Sequence, residues 1–303
     1  MFVKIFFIFS ALITVAFSDS RIRFIFYQSP TQTTEYSTLN FFTLVNNPGF
    51  QRDQGLVVFH YGEGQTLTTP QVLDVVNSYA GNRNYNFVLV HYFNTNVVST
   101  GNAVELAEGI STALIQLLEN AFPADDLNLV GFGLGAQLIA RVSRRIQERS
   151  NRRFIVGRLT GLEPIQLGMI SGNNIGRLGP SDAAFVESIH TEGNQLGDHG
   201  SRGHIWFMVN GGQTQPMCDQ TLPGNRAECS HIFVLNIWAE SVRAISPVFP
   251  ALACNAWAQF LSGVCNTNPI AHMGRSHPNT ALRGSYFLQT NMQPPWSREQ
   301  AHP

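Results

Sequence analysis

The sequence predicts a single α/β domain built on a mostly parallel sheet, and three observations carry that expectation. Short apolar runs of strand length recur along the chain, segments with apolar residues at helical spacing stand between them, and no linker, repeat or low-complexity stretch interrupts the alternation. Hydrophobic residues make up 44% of the 303 residues and charged residues only 13%, which supplies a sizeable core and excludes general disorder. A formal net charge of −1, from 19 Lys+Arg against 20 Asp+Glu, gives no electrostatic basis for binding nucleic acid.

The chain opens with Lys4, an apolar run from Ile5 to Phe17 and the small-residue pattern Ala16-Phe17-Ser18. This is the form of a secretory signal peptide over residues 1–18, cleaved before Asp19, whereas a membrane anchor needs about 20 apolar residues. Residues 19–303 are then expected to be extracellular, with no transmembrane segment. Alternation from Arg23 to Tyr27 predicts the first strand, and LVVFH from Leu56 to His60 a strand buried on both faces. Thr69-Pro70 opens a short helix through Tyr79, because proline is tolerated in a first helical turn. FVLVH from Phe87 to His91 is the next strand. Ala107, Ile110, Leu114, Leu117, Leu118 and Ala121 then mark one face of a long amphipathic helix. Strands follow at Leu127 to Val130, Phe154 to Leu159, Phe185 to Ile189 and Ile205 to Val209. Val234, Ile237, Trp238, Ser241, Val242 and Ile245 trace the face of another helix.

Four cysteines, Cys218, Cys229, Cys254 and Cys265, gain weight in an oxidising compartment. They allow three connectivities, of which Cys218–Cys229 and Cys254–Cys265 are the simplest because the two local spacings are equal. A zinc site is not expected, since no CxxC spacing is present. No ligand-spaced acidic loop points to calcium, and no cofactor is called for. Arg141, Arg144, Arg145 and Arg149, with Arg152 and Arg153 beyond, form a basic helix face that could meet a polyanion, although Glu148 dilutes it and a solvated face is the simpler reading.

The chemistry concentrates after Val130, where the strand runs into Gly131-Phe132-Gly133-Leu134-Gly135-Ala136-Gln137 and a helix with Ile139, Val142 and Ile146 on its apolar face. Three readings fit a strand, a glycine turn and a helix. One is a dinucleotide-binding turn, of which GxGxGA is a partial match. Another is a tight turn in which glycine only supplies a positive φ. The third is a nucleophile elbow, GxSxG, with Gly133 where the serine would stand and the Leu134 N–H as an oxyanion donor.

At this point the residues carry a resemblance. GFGLGAQ at Gly131 to Gln137 resembles the GHSLGAH of the pancreatic-lipase family of α/β-hydrolases, particularly its short insect members similar to phospholipases A1 and fly yolk proteins. Thr160 to Pro164 (TGLEP) resembles that family's TGLDP, Arg177 to Ala183 (RLGPSDA) its RLDPSDA, and Phe185 to Gly193 (FVESIHTEG) its FVDVIHTDG. Gly203-His204 with Val209 to Gly212, Cys229-Ser230-His231 with Glu240 to Val242, and Gly284 to Trp296 resemble its later segments in order. The resemblance implies one lipase-like domain over residues 19–303, without that family's separate C-terminal β-sandwich.

It also implies a triad whose members can be checked one by one. The nucleophile position holds Gly133, with no side chain; the acid position holds Glu163 in place of aspartate; the base, His231, is kept. Glu163 and His231 are expected to form a polar pair with nothing to activate. Tyr61 stands where the family places a glycine directly after the histidine that ends its early strand, which alters the oxyanion region. The segment between Cys218 and Cys229, the lid in this family, is short and polar here and reads as a lid remnant or a surface hairpin. Together these imply a secreted lipase homologue without catalysis, serving lipid binding, storage or extracellular interaction. The alternative is a weak carboxylic ester hydrolase of triacylglycerol lipase or phospholipase A1 type, using water activated by His231 and Glu163.

Overall fold

The strongest apolar runs of the chain become the middle of one large sheet. A computed structural model describes residues 19–82, 84–92, 102–166, 176–198, 200, 202–220, 223–246, 248–274 and 278–303; the expected signal peptide lies outside them. The strands are β1 (Ile22–Ser29), β2 (Gln32–Tyr36), β3 (Leu56–His60), β4 (Asn86–Tyr92), β5 (Leu127–Phe132) and β6 (Arg158–Leu162). The second half adds β7 (Phe185–His190), β8 (Ile205–Val209), β9 (Pro250–Ala253), β10 (Ile270–His272) and β11 (Gly284–Leu288). Their order is β10-β9-β11-β8-β7-β6-β5-β3-β4-β1-β2. From β11 to β4 every pairing is parallel; β1, β2, β9 and β10 join antiparallel at the two sides.

The helices α1 (Pro70–Ala80), α2 (Ala103–Glu119), α3 (Leu134–Arg149) and α4 (Arg226–Arg243) are the main crossovers, with the short α5 (Trp257–Leu261) near the end. α1 packs on α4 and α2 on α3. Every residue of β3 and of β7 is buried, so both sheet faces are covered at the centre. Burying a side chain such as Phe59 or Phe87 contributes about 1.5–3 kcal/mol, and both are fully buried. Among the described residues no helix is long and apolar enough to cross a membrane.

The expected strands at Leu56–His60 and Ile205–Val209 form as read. The strand expected from Phe154 starts later, at Arg158, because Gly157 passes so close to the Asp125 carbonyl that a Cβ there would lie 2.0 Å from it. Ile245, expected on the buried face of α4, lies beyond the helix end and is fully exposed. The basic face of α3 is largely occupied internally. Arg145 pairs with Glu108 and Glu148, Arg144 with the buried Asp182, and Arg149 donates to Thr112 Oγ1.

Candidate functional site

The site forms where β5 stops and α3 starts, at the end of the sheet to which the parallel strands point. Gly133 joins the two elements with φ 57° and ψ −120°, a conformation that favours glycine over any L side chain. Its N–H donates to the Leu162 carbonyl at 2.9 Å, and its own carbonyl accepts from Ala136 and Ile165, both at 3.2 Å, so the turn is pinned to β6. Gly131 and Gly135 are required by close approach. A Cβ on Gly131 would lie 2.4 Å from the Gly135 carbonyl oxygen, and one on Gly135 would lie 2.6 Å from His60 Nδ1. This spacing packs β5, α3 and the end of β3 together and fixes the turn.

A Cβ added to Gly133 would stand 3.3 Å from His231 Nε2 and 4.0 Å from Gly62 Cα. The first of these brings two sequence-expected positions together: the imidazole faces the point from which a serine side chain would grow. α4 delivers His231, and its start is tied down by the Cys218–Cys229 disulfide and by the Ser230 hydroxyl, which accepts from the Gln215 N–H at 3.0 Å. The imidazole lies 4.8 Å from the Phe132 ring, centroid to centroid. Burial pushes its pKa down to about 4, so the ring is neutral at pH 7, and its buried Nδ1 has no hydrogen-bond partner among the described residues.

Glu163 departs from the expected pair. It follows β6 in a left-handed conformation, φ 44°, and is wholly buried. Its Oε2 accepts from the Thr191 N–H, from Thr191 Oγ1 at 2.8 Å and from the Glu192 N–H at 2.8 Å. Its Oε1 is turned against Gly197, where a Cβ would overlap it at 1.7 Å, and has no hydrogen-bond partner among the described residues. No hydrogen bond joins Glu163 to His231. The glutamate side chain instead reaches three donors just after β7, and the histidine is left without the carboxylate that would orient it. Burial, the largest influence, outweighs those three donors and pushes the Glu163 pKa up to about 8.

Tyr61 borders the elbow through its backbone, its carbonyl oxygen 3.1 Å from where a Cβ on Gly135 would stand, while its side chain turns away. Its side chain is buried and its hydroxyl meets His91 Nδ1 at 2.9 Å, across the end of β4. The residue that packs against the turn is Gly62, where a Cβ would lie 2.6 Å from the Phe132 carbonyl oxygen. The sequence reading missed this glycine; its signal was a glycine two residues past the end of a buried strand. Leu134 opens α3, so its N–H is one of the donors that a first helical turn leaves free for an incoming oxygen. His60 is fully buried; its Nε2 meets the Tyr92 hydroxyl, and burial pushes its pKa down to about 3.

Two buried serines are engaged elsewhere. Ser143, more than two turns along α3 from Gly133, donates to the Asp182 carbonyl, and the Ser188 hydroxyl on β7 donates to the Arg202 carbonyl at 2.6 Å and meets His190 Nε2 at 2.8 Å. The described residues between Cys218 and Cys229 form two short 3₁₀ turns, Pro216–Gln220 and Pro223–Asn225, and the first turn of α4, and Arg226 donates to the Asp219 carbonyl at 2.9 Å. The second disulfide, Cys254–Cys265, closes the loop around α5.

Known proteins resemble the chain over about half to three quarters of its length. The family model described as Lipase matches residues 11–296. Phospholipase A1 member A of Rattus norvegicus is 31% identical over 166 residues, 54% of this chain and 35% of that protein. Phospholipase A1 member A of Homo sapiens is 27% identical over 228 residues, 73% of this chain and 48% of that protein. Pancreatic lipase-related protein 2 of Bos taurus is 30% identical over 192 residues, 57% of this chain and 38% of that protein. The chain therefore spans between about a third and a half of the length of these relatives. With the elbow, the parallel sheet and a family match over nearly all its residues, the chain belongs to the lipase family and has the α/β-hydrolase fold.

Proposed function

We propose that the protein is a secreted lipase homologue without ester hydrolysis, acting in lipid binding, storage or extracellular interaction. The observation that carries this reading is the elbow. Gly133 keeps the backbone of a nucleophile turn and lies under His231 Nε2, yet no hydroxyl stands there. Loss of the nucleophile alone costs on the order of a million-fold in serine hydrolases. The turned carboxylate of Glu163 supports the same reading, because a protonated His231 would lack its stabilising partner. It also counts against slow hydrolysis by water at His231, whose low proton affinity makes it a poor base. The apolar leader and the two disulfides support secretion, and relatives named phospholipase A1 and pancreatic lipase-related protein support a lipid as the ligand class.

The test pairs hydrolysis with lipid extraction. The secreted protein and its His231→Ala variant are assayed on short and long acyl esters and phospholipids, and bound lipid is extracted and identified by mass spectrometry. The expected result is equal, background hydrolysis in both and a co-purifying lipid. Hydrolysis that disappears with His231→Ala overturns the reading of a dead site, and absence of any bound or bindable lipid overturns the lipid role.

A further inference from the structure

A second concavity lies at the opposite end of the sheet from Gly133. It opens beside the first residues of β4 and the last residues of β1, a strand length or roughly 20 Å from the elbow end, and encloses about 430 Å³. That is within the range of small-molecule sites, about 300–1,000 Å³. The chemistry of its wall is unusual for this protein. Five side-chain amides line it, those of Gln28, Gln32, Gln51, Asn82 and Asn86, and none of its described lining residues is charged.

The amides divide into a fixed frame and an unspent set. Asn86 donates to the carbonyls of Gln51 at 2.7 Å and Gln54 at 3.0 Å and accepts from the Gln51 N–H at 2.8 Å. Asn82 donates to the Val242 carbonyl at 2.8 Å and accepts from the Asn84 N–H at 3.0 Å. These two hold the floor. The Gln28 amide donates to Asn47 Oδ1 at 2.6 Å and lies flat on Gly49, where a Cβ would come within 2.6 Å of its nitrogen; its Oε1 is left over. The amides of the exposed Gln32 and the half-buried Gln51 and the hydroxyl of the half-buried Tyr27 take part in no hydrogen bond among the described residues and stand open to the concavity and to solvent. The half-buried Tyr27 and Tyr85 add ring surface, and behind them Tyr79 is buried, stacked on Phe87 and set edge to face with Tyr85 at 5.4 Å.

Uncharged donors and acceptors, held apart by a rigid frame and set among aromatic rings, match a ligand that offers hydroxyls and C–H faces but no charge. An anion or a cation would lose its hydration there without a counter-charge, and a simple acyl chain would leave the amides unpaired. We propose that this concavity is a second ligand site, separate from the elbow, that takes a neutral carbohydrate.

The test uses the intact protein and saturation-transfer NMR with glucose, galactose, mannose and N-acetylglucosamine, and with glucuronate and octanoate as charged comparators. Transfer to the ring protons of at least one neutral sugar is expected, with little to the comparators. The Gln32→Ala/Gln51→Ala double variant should bind that sugar about tenfold or more weakly, since two neutral hydrogen bonds are lost, while its melting temperature stays that of the parent. Tyr27→Leu, which removes a ring and a hydroxyl, should weaken the same binding. Absence of transfer from all four sugars overturns the proposal. So does sugar binding that both variants leave unchanged, or a preference for glucuronate or octanoate.

Discussion

Introducing a serine at position 133 has two opposing consequences that the geometry fixes in advance. The first is strain. Gly133 has φ 57°, and a non-glycine residue held there costs of order 1–3 kcal/mol. Its Cβ would also sit 3.3 Å from His231 Nε2, tight enough that the imidazole must yield slightly. At about 2–4 °C per kcal/mol for a domain of this class, Gly133→Ser should lower the melting temperature by about 2–12 °C. The second is chemistry. A complete triad is worth on the order of 2 × 10⁶, but one lacking its acid runs about 3 × 10⁴ lower. Because Glu163 is bonded to Thr191 and Glu192 and not to His231, Gly133→Ser should gain only on the order of a hundredfold over the parent. The assay is hydrolysis of a soluble short-chain ester by Gly133→Ser, with and without Glu163→Gln. Addition of Glu163→Gln should change the rate less than tenfold. A gain near a million-fold, or a thousandfold loss on adding Glu163→Gln, would refute the claim that the carboxylate is uncoupled from the histidine.

Other consequences follow from the same contacts. Glu163 holds its proton up to about pH 8 in the fold but only to about 4.5 when unfolded, so between those values the native state binds more protons and stability falls as pH rises. Glu163→Gln should flatten that fall, worth a few kcal/mol at about 1.4 kcal/mol per tenfold change in proton affinity, in denaturant titrations from pH 5 to 8. His60 and His231 act with the opposite sign: both are kept neutral, so stability should be lost as pH drops from 6.5 toward about 3 and 4, and His60→Gln should remove part of that loss. Gly135→Ala sets a methyl 2.6 Å from His60 Nδ1 and 2.7 Å from the His60 carbonyl oxygen, and should cost about 1–3 kcal/mol or more in urea unfolding. Removing the Cys218–Cys229 bridge, whose cysteines are 11 residues apart, by Cys218→Ala with Cys229→Ala should cost roughly 2–3 kcal/mol and loosen the start of α4.

The sheet centre was legible because a strand buried on both faces must be apolar throughout, as LVVFH at β3 is. The strand β2, QTTEY at the sheet edge, carries no such signature, since one side of an edge strand is free to be polar. β6 was displaced in the reading because Phe154, Ile155 and Val156 are apolar without being strand, and the pairing starts only after Gly157 has cleared the Asp125 carbonyl. At the site, the glycine spacing left a dinucleotide turn, a plain tight turn and a nucleophile elbow open, and the resemblance of Gly131 to Gln137 to the lipase motif put the lost serine at Gly133. The direction of the Glu163 carboxylate could not be read, because its three donors come from residues 191 and 192, which the fold brings there across the β6–β7 pairing. Tyr61 was legible as a change beside the oxyanion region from its place after His60, but not that its side chain turns to His91 while its carbonyl and Gly62 pack at the elbow.

The most direct measurement is covalent labelling by a long-chain phosphonate that reacts with activated serines, read by intact-protein mass. The account predicts no adduct on the parent protein and a single, slowly formed adduct at position 133 in Gly133→Ser, dependent on His231. An adduct on the parent protein that is abolished by His231→Ala would contradict it, because a working nucleophile would then lie beside the histidine in a site that the structure shows with none.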